Sequence, residues 1–288
     1  MVTPPAFRSP VRRRTLVGFV AVAVAAFAWT ATPAAATVVP RTPSGCSTVN
    51  GCGPRTAAPA RLAWPLARSF GHLSTANWAG YAGHGSGFTS VHAVWRVPPL
   101  ACARVSRPSF VAEWAGIDGL DTNTLIQAGV DARCDSPGAR PWYRLFYELL
   151  PEPETAVPNG AVKAGDVVVT DIRLTPGTNR WSVRLVVNGV VRFGAVLEYS
   201  TGRTSAECIV EAPVGLGVGV RPLADYGTAR FTDCSAARAG APTGRELGAG
   251  SGGDFSVYRI DDDLRGVKQT TGAPSANGST WTTTWRAA

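Results

Sequence analysis

The sequence predicts an all-β fold, a sandwich of antiparallel strands, on three observations. Short apolar runs with period-two alternation recur at roughly ten-residue intervals from Asn77 onward. Gly, Pro, Asn and Asp separate these runs, as turns require. No stretch sustains a helical 3.6-residue period for more than about two turns. At 288 residues and 45% hydrophobic content, the chain has ample material for one large core.

The first 36 residues read as an export signal. Arg8, Arg12, Arg13 and Arg14 form a basic start, an apolar run follows from Leu16 to about Trp29, and Ala34-Ala35-Ala36 offers a small-residue cleavage site. The apolar run is shorter than the roughly 20 residues of a membrane span. Arg13-Arg14 leaves a twin-arginine route open, and a retained signal anchor is the alternative. Residues 37–76 are rich in Pro, Ala, Thr and Arg with little periodicity, the texture of a linker or a removable pro-segment.

Residues 77–288 are read as one sandwich domain without internal repeats. Its expected strands are Val91–Val97, Phe110–Ile117, Leu125–Val130, Trp142–Leu149, Asp166–Leu174, Trp181–Asn188, Gly189–Tyr199, Cys208–Glu211, Ala229–Phe231 and Phe255–Ile260. Asn188-Gly189 is a hairpin signal, because this pair accepts the positive φ of a type I′ turn.

Charge excludes one class of partner. Residues 1–76 hold eight arginines and no acid, which leaves 20 basic and 20 acidic residues for 77–288. The basic pI belongs to the leader, so nucleic-acid binding loses its electrostatic support. No stable membrane partner is expected either, and a monomer is. Six cysteines in an exported chain suggest disulfides, although sequence alone leaves their connectivity open. Spacing favours Cys46 with Cys52 and Cys102 with Cys134, leaving Cys208 with Cys234.

Several chemistries can be struck out. The three histidines, His72, His84 and His92, form no HExxH, and no CxxC pair exists for zinc. GHGSG at 83–87 places His84 where a serine elbow needs glycine. The glycine runs at 215–219 and 248–253 lack phosphate-loop spacing. Asp261-Asp262-Asp263 could bind calcium but is expected to be a solvated acidic turn, so no metal and no cofactor are expected. Asn277-Gly278-Ser279 is a glycosylation sequon.

What remains are polar residues inside apolar strands. In AECIVE, the pleat puts Glu207, Ile209 and Glu211 on one face, with Cys208 and Val210 on the other. In EWAGID, Trp114, Gly116 and Asp118 share a face. Gln127 sits within LIQAGV. If these faces line one concave sheet, a carboxylate, an amide and an indole meet there. Read singly, each is more simply an ordinary polar residue on a solvated strand face.

The blocks NWAGY (77–81), VWRVPP (94–99), EWAGIDG (113–119), LIQAGVD (125–131), FYELLP (146–151), AECIVEAP (206–213) and LADYGTARF (223–231) occur in order. This series resembles the glutamic peptidases, or eqolisins, over residues 77–285. The resemblance implies a concanavalin-like β-sandwich of two curved antiparallel sheets and a secreted, metal-independent acid endopeptidase acting on proteins or peptides. Its catalytic pair falls on Gln127 and Glu211. Glu211 suits proton transfer to and from water and the leaving amine, and the neutral Gln127 amide suits an oxyanion. A lone glutamate cycling between charged and neutral forms favours acidic pH, since its ordinary pKa is ~4.3. Trp114 is expected on the cleft wall, and Asp118 as a hydrogen-bonding support. Asp131 and Glu148 also match family blocks, with structural and catalytic roles both open. Cys208 stands where the family has tryptophan, and Leu149-Leu150 replace an aromatic pair, which bears on subsite preference. The competing readings are a sugar-binding sandwich of lectin type and a glycosidase using Glu211 with Glu148 or Glu207.

Overall fold

The computed structural model describes residues 70–215, 219–241, 244–251 and 255–288. The export signal, most of the 37–76 segment and the Cys46–Cys52 pairing lie outside these residues.

Eighteen strands dominate the described chain. They are β1 (Gly71–Thr75), β2 (Trp78–His84), β3 (Phe88–Arg96), β4 (Ser109–Ile117), β5 (Leu125–Cys134) and β6 (Trp142–Leu150). Next come β7 (Thr155–Ala156), β8 (Val167–Leu174), β9 (Arg180–Val187), β10 (Val190–Glu198), β11 (Ser205–Glu211) and β12 (Val214–Gly215). The last are β13 (Gly219–Val220), β14 (Thr228–Arg238), β15 (Arg245–Glu246), β16 (Ser256–Asp262), β17 (Gln269–Thr271) and β18 (Trp281–Trp285). Among the described residues, helix is confined to two short 3-10 turns, at Cys102–Arg104 and Leu247–Ala249.

One continuous hydrogen-bonded path runs β10-β9-β8-β3-β14-β18-β17-β16-β2-β11-β4-β5-β6-β7, with β1 added beside β16 and β15 beside β14. The path folds back on itself. Strands β3, β8 and β14 pack across onto β4 and β11, and β8 and β9 onto β5, although none of these pairs shares a ladder. The result is a two-layered, nearly all-antiparallel sandwich, the fold class the alternation predicts. Among the described strands, only β1 runs parallel to its neighbour. This strand precedes the domain boundary drawn at residue 77, so the sheet starts earlier than the composition shift suggests. Its GHLST sequence carries no strand-like apolar run, because only an edge contact orders it.

The interlayer core takes the alternate residues that the pleat predicts. Val111, Ala115 and Ile117 of β4 meet Val91, Ala93 and Trp95 of β3. Ile126, Ala128 and Val130 of β5 meet Ile172, Val183 and Leu185. Phe231 and Trp281 stack at 4.3 Å, which joins β14 to β18. Cys208 points into this core and bonds Cys234 of β14, while Cys102 bonds Cys134, so both pairings expected for the folded part form. The hairpin turn has φ of 49° at Asn188 and 79° at Gly189, as a type I′ turn demands.

The opposite faces of β11, β4, β5 and β6 form a second apolar surface. Ile209, Ala112, Trp114, Leu125 and Phe146 cluster there with Ile260. Strands β4, β5 and β11 are therefore buried on both sides along nearly their whole length. Gly129 permits their close approach. A Cβ there would lie 2.0 Å from the Glu113 carbonyl oxygen, against the backbone that carries Trp114.

Candidate active site

The second apolar surface is the floor of a groove of about 1020 Å³. Strand pairing fixes what lines it. Glu211 lies opposite Ala112 on β4, and Gln127 lies opposite Gly116 on the same strand. Trp114 occupies the row between them, flanked by Ile209 and Gly129. Glu211 and Gln127 both line the groove, together with Asn77, Trp78, Glu148 and Arg221.

Glu211 is held by N–H donors. Asn77 Nδ2 donates to Oε1 at 2.9 Å, and Trp114 Nε1 donates to Oε2 at 2.9 Å. Such donors favour the charged carboxylate, yet burial outweighs them and pushes the carboxyl up to about 7, with the nearby Glu148 charge adding to the rise. Trp114 is fully buried, and its ring meets Trp78 edge-on at 5.0 Å. The indole is thus a hydrogen-bonding floor beneath the carboxyl as well as a wall.

Gln127 is almost fully buried. Its Nε2 donates to Glu148 Oε2, directly across the β5–β6 ladder. Its Oε1 has no hydrogen-bond partner among the described residues. Nε2 carries a second hydrogen, so one donor is left for another oxygen. Burial raises Glu148 as well, against the Gln127 donor.

A carboxyl able to change charge, facing a neutral amide across an apolar floor, is equipped for proton transfer and oxyanion binding. The family assignment agrees with this chemistry. Residues 76–252 match the model described as the Peptidase A4 family. The chain belongs to this family, the glutamic peptidases.

Three solved structures of family members share the fold. Scytalido-glutamic peptidase with a transition state analog inhibitor matches with a TM-score of 0.59 and 22% identity, over 74% of this chain and 100% of that one. Its complex with a peptide-based transition state analog gives 0.55 and 24% over the same shares. SCP-B, an eqolisin in a complex with the tripeptide Ala-Ile-His, gives 0.54 and 22%, again covering 74% and 100%. No curated protein sequence matches. As a glutamic peptidase, the chain is a hydrolase of protein or peptide substrates.

The other residues singled out in this peptidase fall into two groups. Asp118 stands at φ 72° just after β4 and accepts from Arg203 N at 2.9 Å, Thr204 N at 2.6 Å and the Thr124 and Thr201 hydroxyls. These donors hold its carboxyl below the ordinary value despite burial. It ties two loops together and makes no hydrogen bond to Gln127 or Glu211. Asp131 pairs with Arg144 at 3.1 Å, and Arg144 also grips Glu154 on the groove wall. Glu154 is raised to about 7 by burial and the Asp131 charge. Glu207, which shares the Glu211 face, is fully buried with neither oxygen hydrogen-bonded among the described residues, and it does not line the groove.

Sequence reasoning gave no role to Asn77 or Arg144. Asn77 had a signal, its place at the head of the NWAGY block beside a buried strand; Arg144 had none.

The acidic run is not a solvated turn. Asp261 and Asp262 end β16 and are buried. His72, Asp261 and Asp263 bring three ligand-type atoms within 4.8 Å of one another. His72 Nε2 lies 2.9 Å and Arg259 Nε 3.6 Å from Asp261 Oδ2, so two side chains already engage that carboxylate.

Proposed function

We propose that this glutamic peptidase is a secreted, monomeric endopeptidase that works on the acid side of neutrality with Glu211 and Gln127 as its catalytic pair. The observation that carries this reading is Glu211 itself. A carboxyl raised to about 7, bonded by Trp114 and Asn77, lines the same groove as a neutral carboxamide. In the ionised form, Glu211 takes a proton from water as the water oxygen bonds to the scissile carbonyl carbon. Gln127 Nε2 donates to the oxygen that becomes negative. Glu211 then returns the proton to the amine nitrogen as the C–N bond breaks. Glu148 positions the Gln127 amide through their shared hydrogen bond. The raised value of Glu211 moves the useful range upward from that of an ordinary glutamate.

The test uses purified secreted protein and an unfolded protein substrate across acidic to neutral pH, with Glu211→Gln and Gln127→Ala alongside. Proteolysis that resists chelators and is lost in Glu211→Gln, with Gln127→Ala slowed about 10²–10³-fold, supports the pair. Full activity in Glu211→Gln rules it out. Unchanged activity in Gln127→Ala removes the amide from the mechanism and returns the site to a pair of carboxyls.

A further inference from the structure

We infer that a second site, apart from the groove, binds a tetrahedral oxyanion of the sulfate or phosphate type through Arg173, Arg203 and Arg238. These three arginines line a cavity of about 460 Å³ with Thr89 and Ser90, and no carboxylate lines it among the described residues. It shares no lining residue with the groove.

Arg203 is the centre of the argument. Its φ is 57°, a left-handed conformation that a long side chain rarely adopts. The backbone is pinned there from both sides. Its N–H donates to Asp118 Oδ2 at 2.9 Å, and its carbonyl accepts from Phe88 N at 3.2 Å. Strain of this kind persists where the surroundings fix it, and it gathers at ligand sites. The half-buried guanidinium has no carboxylate partner among the described residues, and it also lines a neighbouring cavity of about 440 Å³. An unpaired cation is thus held on a rigid backbone where two hollows meet.

The other two arginines are steadied by their neighbours. Arg173 Nη2 lies 3.2 Å from Asp171 Oδ1, an acid that already serves His92 at 2.8 Å. Arg238 Nη2 donates to the neutral Ser86 Oγ at 3.1 Å. Asp118 spends its oxygens on the Arg203 and Thr204 amides and on threonine hydroxyls. Planar guanidinium forks match the oxygen spacing of sulfate and phosphate, and arginine keeps its charge at every working pH. Sulfate is the better probe, because it stays doubly charged through the acidic range where phosphate does not.

The experiment follows the thermal midpoint of the full chain against sodium sulfate, with sodium chloride at matched ionic strength as control. The expected result is a saturable rise with sulfate beyond that with chloride. It should be abolished in an Arg173→Gln/Arg203→Asn double variant, which keeps wild-type peptidase activity and basal midpoint. Asparagine is chosen because it tolerates the left-handed backbone. Equal responses to sulfate and chloride, or a sulfate response that survives the double substitution, would overturn the site. Dextran sulfate, run in parallel, separates a free ion from the same group carried on a polymer. Failure here leaves the groove chemistry untouched, since the two sites share no residue.

Discussion

Trp114 and Glu211 sit on adjacent strands, β4 and β11, and a 2.9 Å hydrogen bond joins the indole nitrogen to the carboxyl. The bond crosses diagonally from one ladder row to the next, since Trp114 itself stands opposite Ile209. A fully buried ring thereby orients the group assigned to move protons and favours its charged form against the larger effect of burial.

Replacing Trp114 with phenylalanine removes that donor and keeps most of the apolar floor. Hydrogen bonds to charged groups are worth about 1.5–3 kcal/mol, so kcat/KM should fall roughly 10- to 100-fold. The lost bond favoured the carboxylate, so the acidic limb of the pH–rate profile should also move upward. A rate loss with an unmoved limb would mean that the indole acts through packing alone.

Glu148→Gln tests the opposite sign. The Glu148 charge raises Glu211, and a glutamine cannot ionise. The acidic limb should shift to lower pH while the amide-to-amide contact with Gln127 stays possible. Titrating kcat/KM in wild type and variant checks the direction, and a shift upward contradicts the assignment.

Two fully buried glutamates make stability depend on pH. Glu113, between the layers near Trp95, and Glu207, near Ser205, meet no donor in good hydrogen-bond geometry among the described residues, and burial pushes both well above the ordinary 4.5. The folded form therefore holds more protons than the unfolded form above pH 4.5. Their stabilising share is complete below about 4.5 and fades as pH rises toward neutrality. Urea unfolding between pH 4 and 7 should show this fall, and Glu113→Gln should flatten part of it. A wild-type stability that climbs over the same interval would contradict the arrangement.

The Cys208–Cys234 bond closes a loop with a sequence separation of 26 residues. Loops of this size gain about 3 kcal/mol, so a Cys208→Ala/Cys234→Ala variant should lose that much in urea unfolding. Glu211 faces away from this bond, so the folded variant should keep its KM.

Much of this was legible in the chain because alternation is a local signal. The faces of AECIVE and EWAGID follow from the pleat, and Cys208 points to the core as its position requires. The Asn188-Gly189 turn follows from backbone sterics in the same way. Besides the two-residue strands β7, β12, β13 and β15, four longer strands fell outside the expected set for physical reasons. The β1 strand is an edge addition, β2 is rich in Gly and Ala, and β17 and β18 are threonine-rich. The Trp114 row between Glu211 and Gln127 depends on the β11–β4–β5 register, which no single segment encodes. Burial of Asp261 and Asp262 escaped for the same reason, because the partners His72 and Gln269 come from other strands.

The covalent link between β11 and β14 also bears on how the molecule must be made. The strand that ends in Glu211 is clamped to the opposite layer only once two sulfurs have been oxidised, a step that a reducing cytosol opposes. Material expressed there would have to hold this strand by apolar contact alone until it met an oxidant. Production routes that cross a membrane before folding should therefore yield the more uniform enzyme.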